Sequence, residues 1–350
     1  MKVIYTDKQR LHRVKYEFLS GEPTPCFEKP ERADMVLNAI HQHGGFNVCE
    51  PASFGIEPMH WVHTPDYVAF LQSAWSEWEA RYGDEHDASP YCFVSPRHLR
   101  HRIPKDIEGK LGYYSFDMTA AITKTSFEAI HAAMECALTG ADLLVNGEKA
   151  AFALCRPPGH HAAPDLMGGY CYINNAAIAA ESLRRQGKEK VAILDIDYHH
   201  GNGTQSIFYE RDDVLFVSIH GDPDYDYPHY IGFDDEIGEG KGEGFNLNLP
   251  LPQGKTDWSL YGPALATALE KIRAFGADAL VISLGMDTYE HDPISFFKLN
   301  RTDYAEIGRQ LGTLDLPTLF VFEGGYAVDD LGYNTVAVLD GFMRVQNDNA

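Results

Sequence analysis

Two carboxylates and two imidazoles crowd into residues 195–200 of this chain. They follow the apolar run 191–194, which is typical of a buried parallel strand. Along an extended chain alternate side chains share one face, so Asp195, Asp197 and His199 are predicted to project together. Burying so many ionisable groups is costly unless a metal ion or a proton transfer uses them, and these oxygen and nitrogen donors suit a divalent ion such as Zn²⁺. An exposed polar turn after a strand is the alternative interpretation.

Three further apolar runs end in residues that could do chemistry. Residues 151–155 lead into Arg156-Pro-Pro-Gly-His-His161, residues 278–283 into Leu284-Gly-Met-Asp287, and residues 318–322 into Glu323-Gly-Gly-Tyr326. In open α/β sheets, sites form outside the carboxyl ends of parallel strands. The sequence therefore predicts one site that is built by His160, His161, Asp197, His199, Asp287 and Tyr326.

The elements that must position this site alternate along the chain. Helical spacing of apolar residues predicts helices over 126–145, 175–185, 259–275, 302–311 and 329–345. Strands that alternate with helices imply an α/β fold with a parallel sheet. The 350 residues contain no linker, repeat or low-complexity tract, so we expect one domain over 1–350. The polar segment 83–105 is predicted to be a long loop, and loops of that length are usually functional or interfacial.

Composition limits the partners and the compartment. The formal net charge of −22 argues against nucleic acid, which would need a basic face. The same charge would attract a cationic ligand, although acidity for solubility alone explains it equally well. No run approaches the ~20 apolar residues of a membrane span, and the six cysteines include no C-x-x-C pair. We therefore expect a cytoplasmic protein with reduced thiols and no membrane partner.

These motifs together resemble the zinc-dependent histone deacetylase family. The resemblance covers nearly the whole chain and is carried by Arg156-Pro-Pro-Gly-His-His161, residues 168–176, residues 195–202, residues 217–220, Leu284-Gly-Met-Asp287 and Glu323-Gly-Gly-Tyr326. Within the family, segments 104–113, 199–205 and 292–298 are similar to those of bacterial acetylpolyamine amidohydrolases. The resemblance implies an arginase-like α/β fold around a mostly parallel sheet of about eight strands.

The resemblance also implies a set of bound metal ions. Asp197, His199 and Asp287 match the ligands of a catalytic Zn²⁺, for which Fe²⁺ or Co²⁺ could substitute. Three protein ligands leave an open position for water and substrate. A K⁺ ion is expected behind the zinc, with the ligands Asp195, Asp197, His199, Ser218 and Ile219. A second K⁺ site is expected at the backbone of Phe208, Arg211 and Val214.

Five residues match the catalytic groups of the family. His160 and His161 match its tandem histidines, which serve as general acid and base; Asp195 is the expected partner of His160, and Asn202 that of His161. Many histone deacetylases carry aspartate at the position of Asn202. Because an amide adds no negative charge, His161 should be less basic in this chain. Tyr326 matches the tyrosine whose hydroxyl donates to the carbonyl oxygen in the transition state.

The expected substrate channel has aromatic walls and acidic groups near its mouth. Tyr170 and Tyr227 match the aromatic wall positions, and Gly169 would let its loop approach the substrate. Glu17 and Glu108 match acidic positions that recognise a remote ammonium group. Near Thr119, where a second channel glutamate could be expected, Asp117 is the candidate substitute.

These residues support one main hypothesis and two alternatives. The main hypothesis is hydrolysis of the acetyl amide of acetylpolyamines such as acetylputrescine and acetylcadaverine. The first alternative is a deacetylase of acetyl-lysine in proteins or peptides, and the second is a non-enzymatic acetylamine-binding module. We also expect a homodimer, because segment 83–105 mixes aromatic residues with arginines and such residues are enriched at interfaces. In the resembled enzymes an insertion at this place takes part in dimerisation and narrows the channel.

Overall fold

A computed structural model describes residues 1–19, 21–91 and 102–348 of the chain. Its strands are β1 (Lys2–Ile4), β2 (Tyr16–Leu19), β3 (Glu22–Pro25), β4 (Asn47–Cys49), β5 (Ala150–Ala153), β6 (Val191–Asp195), β7 (Val214–Gly221), β8 (Asn246–Leu251), β9 (Ala279–Leu284) and β10 (Thr318–Phe322). Eight of them form one sheet in the order β4-β1-β5-β10-β9-β6-β7-β8, and every pairing in it is parallel. Strands β2 and β3 form a separate antiparallel hairpin.

Helices cover both faces of the sheet. They are α1 (Glu31–His43), α2 (Pro65–Tyr82), α3 (Ile107–Tyr113), α4 (Ser126–Val145), α5 (Asn175–Arg185), α6 (Asn202–Phe208), α7 (Trp258–Phe275), α8 (Arg301–Gly312) and α9 (Val328–Asp348). Short 3₁₀ helices cover Asp7–Leu11, Glu57–Trp61 and Gly240–Gly242. Side chains cap several helices: Asn174 accepts from the Ala177 amide at the start of α5, and Asn300 forms a capping box with Asp303 at the start of α8.

The central strands are predominantly apolar because both of their faces are covered. In β9, Val281 packs into a core with α4 and α5, while Leu280 and Ile282 pack into a second core with α1, α7, α8 and α9. Alternate side chains of one strand thus enter opposite cores. Every residue of β5, β6, β9 and β10 is buried.

The predicted α/β fold with about eight mostly parallel strands is confirmed. The five predicted helices correspond to α4, α5, α7, α8 and α9, with boundaries that differ by three residues at most. Of the predicted long loop, residues 83–91 and 102–105 are described, and an isolated bridge joins Ala88 to Ile122. Residues 92–101 of that loop lie outside the described part, together with most of its predicted aromatic and arginine cluster; of that cluster, Tyr91 and Arg102 are described and exposed. Among the described helices, none combines the length and apolar character needed to cross a bilayer.

Candidate active site

The carboxyl ends of neighbouring strands bring the chemical motifs together. Strands β5, β10, β9 and β6 lie side by side in the sheet and run in the same direction. The segments that leave them are therefore neighbours in space, although up to 170 residues separate them along the chain. All four predicted motifs therefore meet at the carboxyl ends of these strands, as expected for a parallel sheet.

Two carboxylates and one imidazole form a group that could hold a metal ion. One donor atom each from Asp197, His199 and Asp287 lie within 4.8 Å of one another. His199 Nδ1 lies 3.0 Å from Asp287 Oδ2 and 3.4 Å from Asp197 Oδ1. Burial and the charge of Asp197 raise the pKa of Asp287 to about 7, so a cation between the two carboxylates would relieve their repulsion.

The backbone around this group is packed tightly enough to fix both carboxylates. Asp197 Oδ2 accepts a hydrogen bond from the Gly324 amide at 2.8 Å, and Asp287 Oδ1 accepts one from the Tyr198 amide at 2.8 Å. A Cβ atom at Gly285 would approach Asp197 Oδ2 to 2.1 Å, and one at Gly324 would approach it to 2.6 Å. Any side chain at either glycine would therefore collide with the Asp197 carboxylate. The backbone amides hold the carboxylate oxygens in place.

The tandem histidines lie beside this group, each with its own partner. His160 Nδ1 lies 2.9 Å from Asp195 Oδ2, and His161 Nδ1 lies 2.7 Å from Asn202 Oδ1. Burial disfavours a charge on either ring, but the carboxylates of Asp197 and Asp195 outweigh it and raise the pKa of His160 to about 10. Burial and the neighbouring histidines hold the pKa of His161 well below its usual value. The two rings are thus set apart, because the surrounding residues favour the charged form of His160 and the neutral form of His161.

Tyr326 faces the same space from the end of β10. Its backbone amide donates a hydrogen bond of 2.7 Å to Asp292 Oδ2, and the Arg32 guanidinium lies 4.8 Å from its ring centroid. Burial raises the pKa of the Tyr326 hydroxyl well above its usual value, so the group stays protonated. The preceding Gly325 has φ +120°, a conformation that side-chain-bearing residues rarely adopt.

A narrow cavity of about 170 Å³ leads to these groups. Its walls include Leu19, Tyr170, Tyr227 and Ile294, and its inner end includes His161, His199 and Tyr326. Among the described residues that line it, none is an aspartate, a glutamate, a lysine or an arginine. An aromatic, uncharged passage above ionisable groups suits a slender methylene chain that carries a reactive polar end.

The comparisons with known proteins agree with this geometry. Residues 26–342 match the histone deacetylase domain. The chain belongs to the histone deacetylase family. It is 52% identical over 345 residues to acetylpolyamine amidohydrolase 2 of Pseudomonas aeruginosa, with 99% of each chain covered. It is 48% identical over 341 residues to the acetylpolyamine amidohydrolase of Mycoplana ramosa, with 97% of this chain and 99% of the relative covered.

A solved structure supports the same membership. The acetylpolyamine aminohydrolase from Burkholderia pseudomallei aligns with a TM-score of 0.93 at 40% identity, and 99% of each chain is covered. The resemblance expected from the sequence motifs is thus confirmed for the family and for the fold.

The wall residues predicted for this family member line the cavity, namely Gly169, Tyr170 and Tyr227. Gly169 has φ +54°, and a Cβ atom there would approach His161 Cδ2 to 2.2 Å. No other residue type fits between the loop and the histidine ring. Tyr170 also has a positive φ of 64°, which is unusual for a bulky side chain.

The three acidic residues predicted to recognise an ammonium group do not line the cavity among the described residues. Glu17 is buried behind the wall, where Oε1 accepts from the Phe27 amide and the carboxylate interacts with the Tyr170 hydroxyl. Glu108 lies in the first turn of α3, on the side of Arg81. Asp117 accepts hydrogen bonds from wall residues instead of facing the passage. In each case sequence position alone did not reveal which way the carboxylate points.

The residues predicted to bind K⁺ are partly brought together. Strand pairing sets Asp195 opposite Ser218, with Ile219 next along β7, and Asp195 Oδ1 accepts a hydrogen bond from the Asp197 amide at 3.1 Å. Phe208 ends α6, and its carbonyl accepts a hydrogen bond from the Arg211 amide at 3.0 Å, while Val214 begins β7. Carbonyl oxygens keep a second lone pair, so this turn retains acceptor capacity for a cation.

Two residues with a structural part in the site were missed from the sequence. Glu323 Oε2 accepts hydrogen bonds from the amides of Gly159 at 2.7 Å and His160 at 3.2 Å, which fixes the backbone of the tandem histidines. Asp292 holds the Tyr326 amide in the same way. Burial raises the pKa of Glu323 to about 8. Glu323 stands in the Glu-Gly-Gly-Tyr motif and Asp292 in segment 292–298, but nothing in these segments indicated that the two carboxylates accept hydrogen bonds from backbone amides.

A second group of possible ligands also emerged in the structure. Donor atoms of His160, Cys171 and Glu323 lie within 4.8 Å of one another and are buried. Burial raises the pKa of the Cys171 thiol well above its usual value, so the thiolate that a metal ion needs is disfavoured. The first group, Asp197, His199 and Asp287, is the better metal site.

Proposed function

We propose that this protein is a metal-dependent amidohydrolase that removes the acetyl group from acetylated polyamines such as acetylputrescine and acetylcadaverine. The proposal is carried by the whole-length similarity to relatives named acetylpolyamine amidohydrolases. It is supported by a cavity with aromatic walls that is lined by His161, Tyr326 and His199, the last of which belongs to the metal-ligand group. A purely acetylamine-binding module would not need this combination of ionisable groups.

Asp197, His199 and Asp287 are the proposed ligands of a divalent ion, with Zn²⁺ as the first choice and Fe²⁺ or Co²⁺ as substitutes. The fit rests on the donor atoms, which lie within 4.8 Å and comprise two carboxylates and one imidazole. Such an ion would polarise the acetamide carbonyl and lower the pKa of a water molecule. Three protein ligands would leave a coordination position for water and substrate, and His199 is among the residues that line the cavity.

His161 is the proposed general base. Its Nδ1–H donates to Asn202 Oδ1, which leaves Nε2 free to accept a proton from the attacking water. Its lowered pKa keeps it neutral at pH 7, as this role requires. An amide nitrogen leaves poorly unless it is protonated, and His161 can return the proton to it. His160, held in its charged form by Asp195, contributes positive charge beside the reacting carbonyl.

Tyr326 is the proposed donor to the carbonyl oxygen. Because burial keeps its hydroxyl protonated, it can donate a hydrogen bond that strengthens as the oxygen gains negative charge. Asp292 fixes the backbone from which it projects. The tyrosine and the histidines therefore act on different atoms of the same amide.

The proposal also includes bound K⁺ ions and a homodimer. K⁺ would be held behind the metal group by Asp195, Asp197, His199, Ser218 and Ile219, and a second K⁺ by Phe208, Arg211 and Val214. A homodimer would use segment 83–105 to narrow the cavity entrance. Sedimentation of the purified protein should give the mass of two chains, and a monomeric mass would remove the dimer from the proposal.

One comparison of substrates tests the proposed activity. The purified enzyme should release acetate from acetylputrescine with a higher kcat/KM than from an acetyl-lysine peptide of ten residues or more. A preparation of His161→Ala, made in parallel, controls for contaminating deacetylases. A preference for the peptide would replace the proposal with the protein-deacetylase alternative, and activity on neither substrate would refute both.

A further inference from the structure

One carboxylate joins three residues that line the cavity. Asp117 Oδ2 accepts hydrogen bonds from the Gly169 amide at 2.9 Å and from the Tyr227 hydroxyl at 2.7 Å. Asp117 Oδ1 accepts from the Thr119 amide at 2.9 Å and from the Thr119 hydroxyl at 3.0 Å. Both oxygens are thus occupied by donors from the protein. Asp117 is therefore unavailable to a substrate ammonium, unlike the sequence-based expectation.

Through Thr119 the same network reaches Tyr170, another residue that lines the cavity. The Tyr170 amide donates to Thr119 Oγ1 at 3.3 Å, and the Tyr170 hydroxyl interacts with buried Glu17. Tyr170 is in the left-handed region with φ 64°, which a bulky residue keeps only when its surroundings over-determine it. Gly169 and Thr119 supply that restraint, and both depend on Asp117.

The Tyr227 wall is tied to the catalytic groups themselves. Its ring packs edge-on against His161, with a centroid distance of 5.1 Å and an interplanar angle of 88°. The ring centroid lies 5.9 Å from that of His199. A shift of Tyr227 would therefore change both the width of the passage and the packing of the proposed base.

We propose that Asp117 is a positioning residue that ties the Tyr170 and Tyr227 walls together and so sets the channel width, which restricts the enzyme to unbranched acetylated amines. This inference deepens the proposed function and rests on it. Both tyrosines line the cavity, so a straight methylene chain can pass beside rings that are held in place, whereas a methyl branch needs a ring to move. Spreading the walls breaks hydrogen bonds to a charged acceptor, which are stronger than neutral ones.

Two substitutions cut the network at different points. Asp117→Asn keeps the shape but leaves a single acceptor oxygen, so the new NH₂ group must face either the Thr119 donors or those of Gly169 and Tyr227. Tyr227→Phe removes one hydrogen bond and leaves the other contacts of Asp117 in place. Tyr225→Phe, at an exposed side chain in the same loop, is the matched control.

The measurement is a selectivity ratio. For each variant, kcat and KM are determined for N-acetylputrescine and for its methyl-branched analogue N-(4-amino-2-methylbutyl)acetamide. We expect wild type and Tyr225→Phe to share a high ratio of kcat/KM values in favour of the straight chain. Asp117→Asn and Tyr227→Phe should lower that ratio roughly tenfold, the scale of one hydrogen bond to a charged group. The change should appear mainly as a lower KM for the branched substrate.

The outcomes separate this inference from the proposed function. A merely structural role would reduce both kcat/KM values equally. An unchanged ratio in both variants would therefore refute the positioning role of Asp117. If Asp117→Asn does not fold, as judged by thermal unfolding, Tyr227→Phe decides alone. If wild type fails on N-acetylputrescine, the proposed function is wrong, and the ratio is measured on whichever acetylated substrate it does cleave, with and without the branch.

Discussion

Replacing Asn202 by aspartate tests the proposed partnership with His161 most directly. The two side chains have nearly the same shape, and Oδ1 at position 202 lies 2.7 Å from His161 Nδ1. The change should therefore keep the orientation of the ring and add one negative charge beside it. A neighbouring carboxylate favours imidazolium, so the pKa of His161 should rise from its present depressed value.

The size of the shift follows from the distance. With charge centres about 4 Å apart and an effective dielectric constant of about 20, the attraction is about 4 kcal/mol, which corresponds to roughly three pKa units. Position 202 is buried, so the new carboxylate is itself costly to ionise, and a bound cation would oppose protonation of His161. We therefore expect a rise of roughly one to three units.

The assay is the pH dependence of kcat/KM for acetylputrescine. A base works in its neutral form, so activity is lost as pH falls through its pKa, and a raised pKa moves the acid limb to higher pH. Asn47→Asp adds the same charge at an exposed position at the amino end of strand β4, opposite the carboxyl ends that carry the site, and should leave that limb in place. A folded Asn202→Asp enzyme with an unshifted acid limb would refute the pairing, or the assignment of His161 as the base.

Three further changes have defined outcomes. Asp287→Ala should abolish metal retention and activity together, and full metal content by elemental analysis would contradict its proposed role. Tyr326→Phe should retain the metal ion but lose roughly 10²–10³ in kcat, the scale of one oxyanion donor, whereas near-normal turnover would assign the tyrosine a structural role. Glu28→Gln should lower the free energy of unfolding in urea by about 3–5 kcal/mol, because it leaves the buried Arg32 and Arg156 without their carboxylate; a change below about 1 kcal/mol would mean that they find other acceptors.

The central strands were predictable because burial on both faces makes them continuous apolar runs. Their order in the sheet was not predicted, since the periodicity of a strand carries no information on which strands are its neighbours. Short edge elements left no comparable signal. Strand β4 has three residues, and in β2 only Glu17 is buried while its three neighbours are exposed. The conformation of such segments is determined by contacts with the rest of the fold and not by their own hydrophobic pattern.

The reacting groups of the site were predictable for a different reason. Ligands and proton donors must be particular residue types, so Asp197, His199, Asp287 and the tandem histidines stand out at strand ends. Supporting residues have no such restriction. Glu323 holds the histidine segment through two backbone amides that lie more than 160 residues away in sequence, and a backbone donor has no sequence signature.

The positions of the acidic residues near the cavity differ from what the net charge of the chain suggests. A chain of charge −22 with a cationic substrate suggests carboxylates in direct contact with an ammonium group. Instead, Glu17 and Asp117 lie behind the hydroxyls of Tyr170 and Tyr227. For an assumed separation of about 7 Å and an effective dielectric constant of about 20, an ionised carboxylate would attract a cation in the passage by roughly 2 kcal/mol. Aromatic walls backed by carboxylates can therefore favour a cationic amine and exclude branched chains with the same four residues.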